Sequence, residues 1–215
     1  MDYNFIVIEG NIGAGKTSLA KKISKEFNAR LILEQFADNP FLPKFYKDPD
    51  RYAFPLEMSF LANRYNQLKK KLSDRDLFHA MTITDYYFSK SLIFAGETLP
   101  EDEYNLYRQI FYFIYESLPK PDLYVYLHLD VPLLLQNIKK RGRDFEQDIS
   151  ASYLEKLQKA YFSYLKQLRD TRIIMIDTNN MDFINSPEDY LTIKTILFHK
   201  KYPVGITRVV PGDNF

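Results

Sequence analysis

Eight consecutive residues, Gly10-Asn11-Ile12-Gly13-Ala14-Gly15-Lys16-Thr17, fit the pattern G-x-x-x-x-G-K-[ST], directly after an apolar run and directly before a helical one. Glycines let the backbone turn tightly and bring its N–H groups onto phosphate oxygens. The helix that follows aims its positive end at the same anion. The pattern assigns Lys16 to the β- and γ-phosphates, the Thr17 hydroxyl to Mg²⁺, and Gly10 to Thr17 as a whole to a nucleoside triphosphate. Elsewhere, Glu34 follows Leu31-Ile32-Leu33, at what should be the carboxyl end of a strand, where open α/β sheets bind ligands. It is otherwise an ordinary exposed strand-end carboxylate. Asp85 follows Thr82-Ile83-Thr84, where a carboxylate can cap the next helix. Arg141 and Arg143 flank Gly142 in a basic run, which is either a solvated face or a mobile anion clamp. Glu57 and Arg64 fall inside the apolar arc of Phe60, Leu61, Tyr65, Leu68 and Leu72. Two charges on such a face must pair with each other or meet a ligand.

The elements that must position these residues alternate. Phe5 to Ile8, Leu123 to Leu129 and Ile173 to Ile176 read as buried parallel strands, with Leu31 to Leu33 and Met81 to Thr84 as shorter ones. Helical patterns lie between them, including Leu19-Ala20-Ile23-Phe27, a segment around Pro55 to Leu72 with Pro55 in its first turn, and Tyr153 to Leu168. Strand–helix alternation predicts a five-stranded parallel sheet flanked by helices, an α/β fold. Leu106 to Tyr115 is apolar nearly all round, which predicts a helix buried in the core or against another subunit. The tail from about His199, with Pro203, Gly205, Pro211 and Gly212, reads as irregular.

Composition narrows the classes. The chain has 215 residues and no cysteine, so disulfides, thiol nucleophiles and Cys-based zinc sites are excluded. With 29 basic and 28 acidic residues, it lacks the charge of a nucleic-acid-polymer binder. No apolar run approaches the roughly 20 residues of a membrane span, and no basic leader precedes the first strand, so a cytoplasmic protein is expected. A GTPase would need D-x-x-G, which is absent, and Asn179-Asn180-Met181-Asp182 lacks the lysine of a guanine-reading N-K-x-D. A small P-loop protein with a helical lid points to a nucleoside or nucleotide kinase.

From about residue 4 to 195 the chain resembles the deoxynucleoside kinase family. The likeness rests on Ile8-Glu9-Gly10-Asn11-Ile12-Gly13, on Leu33-Glu34, and on Arg141-Gly142-Arg143 followed by Glu146-Gln147. It implies a P-loop nucleoside kinase domain over 1–198, a lid at about 139–148, a tail at 199–215, and MgATP-dependent phosphorylation of a deoxynucleoside 5′-hydroxyl. Glu34 would be the base, Asp85 would join Thr17 near Mg²⁺, and Arg141 and Arg143 would clamp the ATP phosphates. Glu146 would close over the sugar 3′-hydroxyl with Tyr46, and Glu57 and Arg64 would meet the base. A carboxylate only accepts hydrogen bonds. Guanine presents two adjacent N–H groups, so Glu57 suggests purines, guanine first. A homodimer is expected, partly from the family and partly from the aromatic helix.

Three positions depart from the family. Tyr86 stands in place of an arginine that contacts the base carboxylate, Ser91 in place of a nucleobase-reading Asp, and Asn137 in place of a lid arginine. Two other readings follow. A thymidylate-type monophosphate kinase would need an arginine near Glu34-Gln35-Phe36, which is missing. A degenerate kinase fold would bind nucleotide without turnover.

Overall fold

The computed structural model describes residues 3–35, 39–73 and 78–212, without the side chains of Tyr46, Ser73 and Phe145. Two compact units divide the chain. The first comprises Met1–Ile32, Asp76–Asp85 and Pro121–Phe215, and the second Leu33–Arg75 and Tyr86–Lys120.

The first unit is built on one sheet. Its strands are β1 (Phe5–Gly10), β2 (Arg30–Ile32), β3 (Thr82–Thr84), β4 (Leu123–His128), β5 (Arg172–Asp177) and β6 (Gly205–Val209). They lie in the order β2-β3-β1-β4-β5-β6, every pair parallel. Continuous apolar runs are what a sheet covered on both faces demands. Along β4, Leu123, Val125 and Leu127 join Ile6, Ile8, Ile174 and Ile176 in the main core. Leu19, Ala20 and Ile23 of α1 (Lys16–Phe27) and Ile193, Ile196 and Leu197 of α8 (Pro187–Phe198) pack into the same cluster. The alternate residue Tyr126 meets Tyr161 of α7 (Ala151–Leu165), ring centroids 5.4 Å apart. α6 (Val131–Arg141) joins β4 to the basic segment and ends at Gly142, whose φ of 71° is a left-handed helix stop.

The sheet has six strands where the sequence suggests five. The segment from Gly205 is no irregular tail: its amide donates to the Thr171 carbonyl at 2.9 Å and the strand runs parallel to β5. Before it, the Tyr202 hydroxyl donates to the Ile196 carbonyl at 2.9 Å, and Arg172 Nε donates to the Tyr202 carbonyl at 2.6 Å. Proline and glycine punctuation on either side hides a run that buries Val209 and exposes Ile206 and Arg208.

The second unit is helical: α2 (Leu42–Lys47), α3 (Pro49–Ser73), α4 (Ser89–Thr98) and α5 (Glu101–Tyr115). α3 begins at Pro49, so Pro55 lies inside the helix and not in its first turn. Pro49 and Asp50 supply the start signal that the sequence reading placed at Pro55. Phe88 stacks on Phe111 at 4.8 Å, and Phe111 on Tyr115 at 5.3 Å. α5 is not buried all round. Tyr107 and Phe111 are inside, whereas Leu106, Tyr112 and Phe113 are exposed, Phe113 by 87%.

Candidate active site

In the first unit, β1 runs into the glycine-rich loop and α1 starts at Lys16. Gly13 has φ 87°, and a Cβ there would stand 2.7 Å from the Leu134 carbonyl oxygen, so no other residue fits that turn. Gly15 caps α1 with φ 84° and no side-chain cap, which leaves the first-turn amides of a 12-residue helix to an anion. Two amide side chains hold the loop. Asn11, 2% exposed, donates from Nδ2 to the Leu154 carbonyl at 2.8 Å and accepts the Ile12 amide at 2.8 Å. Asn137 donates to the Gly13 carbonyl at 2.9 Å, so the residue standing for a lid arginine braces the loop from α6. Lys16 Nζ reaches back to the Asn11 carbonyl at 2.8 Å, within the same loop.

Thr17 Oγ1 donates to Asp85 Oδ2 at 2.5 Å. Asp85 therefore does not cap α4, whose N-cap, Phe88, makes no side-chain cap bond. A hydroxyl and a carboxylate side by side are hard oxygen donors. They suit Mg²⁺, which takes one or two protein oxygens and fills its octahedron with phosphate oxygens and water. At the end of α6, Arg141 Nη2 donates to Glu146 Oε2, and Arg143 Nη1 to Glu146 Oε1 at 3.1 Å. Glu146 is 7% exposed and each arginine about a third exposed, so both guanidinium groups are gathered on one buried carboxylate. Glu146 is thus placed with the arginines. The side chain of Tyr46, its expected companion, lies outside the described residues.

The second unit holds the remaining candidates. Glu34 lies two residues past the end of β2. Its Oε1 accepts Arg64 Nε at 3.0 Å and Nη2 at 2.8 Å, and its Oε2 accepts Lys90 Nζ at 2.5 Å. Burial alone would raise its pKa, but the charges and hydrogen bonds of Lys90 and Arg64 outweigh that and hold it at about 2. Glu34 is therefore not an ordinary exposed carboxylate. Arg64 Nη1 donates to Ser91 Oγ at 2.9 Å, and its guanidinium lies 4.9 Å from the Phe60 ring centroid. Arg64 thus ion-pairs with Glu34. Glu57, 4% exposed, keeps Oε2 without a hydrogen-bond partner, and burial raises its pKa to about 7.

Two residues here escape a reading of the sequence. Gln67 donates to the Leu33 carbonyl at 2.9 Å and accepts the Tyr86 hydroxyl, which ties down the backbone next to Glu34. Lys90 carries one available signal. It sits in the first turn of α4, where a cation opposes the helix dipole.

A strand, a glycine-rich turn and an uncapped helix start, backed by a parallel sheet, define a P-loop nucleotide-binding protein. The chain belongs to the deoxynucleoside kinase family, whose description, "Deoxynucleoside kinase", matches residues 6–199. It is similar to the deoxyguanosine kinase of Bacillus subtilis (strain 168), 40% identical over 191 residues that cover 86% of this chain and 92% of that one. It is also similar to the deoxyadenosine kinase of Dictyostelium discoideum, 34% identical over 187 residues, 84% of this chain and 74% of that one. Among solved structures, deoxyadenosine kinase from M. mycoides with bound dATP matches at TM-score 0.77 and 26% identity, over 90% of this chain and 98% of that one. No helix among the described residues is long and apolar enough to cross a membrane.

Proposed function

We propose that this deoxynucleoside kinase transfers the γ-phosphoryl group of MgATP to the 5′-hydroxyl of a purine deoxynucleoside, deoxyguanosine first, in the cytoplasm. The observation that carries the reading is Glu34, a nearly buried carboxylate kept ionised by Arg64 and Lys90. Its low pKa makes it a weak base, so it would take the hydroxyl proton late, once the loose transition state has made that proton acidic. The loop amides from Gly10 to Thr17 and Lys16 hold the donor's β- and γ-phosphates. Thr17 and Asp85 would hold a Mg²⁺ ion, which would supply positive charge against the donor phosphates. Arg141 and Arg143 turn from Glu146 toward the transferring group, the lid movement of residues 139–148, and so release Glu146, with Tyr46, for the sugar 3′-hydroxyl. Glu57 and Arg64 face the nucleobase. A buried acceptor oxygen without a partner on Glu57 suits the paired N–H groups of guanine. Similarity to a deoxyguanosine kinase at 40% identity supports the same base. The exposed Leu106, Tyr112 and Phe113 of α5 would pair two copies of the chain.

Steady-state assays with MgATP and the four deoxynucleosides, plus thymidine monophosphate, test this. Deoxyguanosine should turn over fastest. Glu34→Gln should lower kcat by about 10²–10⁴-fold, and Lys16→Ala should abolish turnover. Turnover of the monophosphate alone would move the enzyme to the thymidylate type, and nucleotide binding without turnover would mark a degenerate site.

A further inference from the structure

α4 delivers a second cation to Glu34. Where the family resemblance implies an arginine directly after the strand-end acid, this chain has Tyr86, fully buried, whose hydroxyl donates to Gln67. Four residues later Lys90, only 9% exposed, places Nζ 2.5 Å from Glu34 Oε2, the oxygen that Arg64 leaves open. Lys90 Nζ also lies over the Phe94 ring, 5.1 Å from its centroid. A lysine in the first turn of a helix is opposed by the dipole and, when buried, by desolvation. A specific partner must offset both, and Glu34 is that partner.

We infer that Lys90 is the positioning residue for the catalytic base. By occupying Oε2 from α4 while Arg64 occupies Oε1 from α3, it fixes the rotamer of Glu34, doing from a helix what a strand-end arginine would do. The inference rests on Glu34 being the base, as proposed above. It adds a residue outside the motifs that the sequence carries. Charge around Glu34 comes from Lys90 on α4 and Arg64 on α3, with Glu57 of α3 and the Tyr107 hydroxyl of α5 set against Arg64.

The test compares the wild type with Lys90→Met, Lys90→Arg and Glu34→Gln, reading kcat and KM for deoxyguanosine across pH. Thermal midpoints and ATP binding serve as checks of folding. In Lys90→Met, kcat should fall by about 10–100-fold at neutral pH with the nucleoside KM changed less than about threefold. Its acid limb should move up by about one to three pH units, because an opposite charge a few ångströms away has been removed. Lys90→Arg should restore most of kcat and return the acid limb. If Lys90→Met does not fold, Lys90→Gln carries the same comparison. A neutral variant with the wild-type kcat and pH profile, or a loss confined to KM, or an arginine variant no better than methionine, would overturn the inference. A wild type inactive on nucleosides, or a Glu34→Gln variant as active as the wild type, would instead sink the assignment of Glu34.

Discussion

In its proposed place at the nucleobase, Glu57 would recognise different bases in its two protonation states. At a pKa of about 7 the side chain is divided between acid and carboxylate near neutrality. The neutral acid offers one donor and one acceptor, the complement of the amino group and ring nitrogen of adenine or cytosine. The carboxylate offers acceptors only, the complement of guanine. The ratio of kcat/KM for deoxyguanosine to that for deoxyadenosine should therefore rise by up to about tenfold from roughly pH 6 to 8. Competition assays at fixed total nucleoside would measure it. In Glu57→Gln the ratio should be flat and shifted toward deoxyadenosine. Stability follows the same titration. The folded pKa lies above the 4.5 of the unfolded chain, so this contribution is intact below about 4.5 and is lost as pH rises through about 7. Glu57→Gln should accordingly stabilise the protein at alkaline pH by about 1–3 kcal/mol, read from denaturant midpoints. Glu34 has the opposite sign: its lowered pKa stabilises the fold above 4.5, and that support fades as pH falls toward about 2.

At the scale of elements, the phosphate loop is a backbone feature held by side chains. Gly13→Ala would push a methyl group into the Leu134 carbonyl at a positive φ. Calorimetry should find no ATP binding, with the helical circular dichroism retained. Asn11→Ala would remove the buried bond to the Leu154 carbonyl and leave the part-buried Ile12 amide without its side-chain acceptor, and a loss of about 1–3 kcal/mol in unfolding free energy is expected. The loop was legible in the sequence because its function is written in one contiguous run. β1, β4 and β5 were equally legible, since burial on both faces leaves a plain apolar signature. The chemistry of the second unit was less so. Glu34, Arg64 and Lys90 come from three separate segments, and only their meeting shows that Arg64 serves Glu34 and not Glu57. β6 was missed because a short edge strand alternates and so resembles a loop. For α5, apolar composition left two partners open, the core and a second subunit; the fold buries Tyr107 and Phe111 in its own chain and leaves Leu106, Tyr112 and Phe113 exposed.

For the molecule as a whole, the proposed pairing of two copies rests on the exposed apolar residues of α5. Phe113, 87% exposed, makes no contribution to the interior of its own chain. Phe113→Glu should leave the thermal midpoint nearly unchanged and convert a dimer to a monomer in sedimentation velocity. The sheet, by contrast, closes itself to such pairing. One edge, β2, is three residues long and carries Arg30. The other, β6, is five residues long, lies between Pro203 and Pro211, and carries exposed Arg208 among Ile206, Val209 and Val210. Short, charged, proline-bounded edges are poor templates for a further strand. Together with the strand's shortness and flanking prolines, the Arg208 guanidinium should guard this β-branched edge against fibril growth, a solubility role for a residue that lies in neither set of candidate site residues.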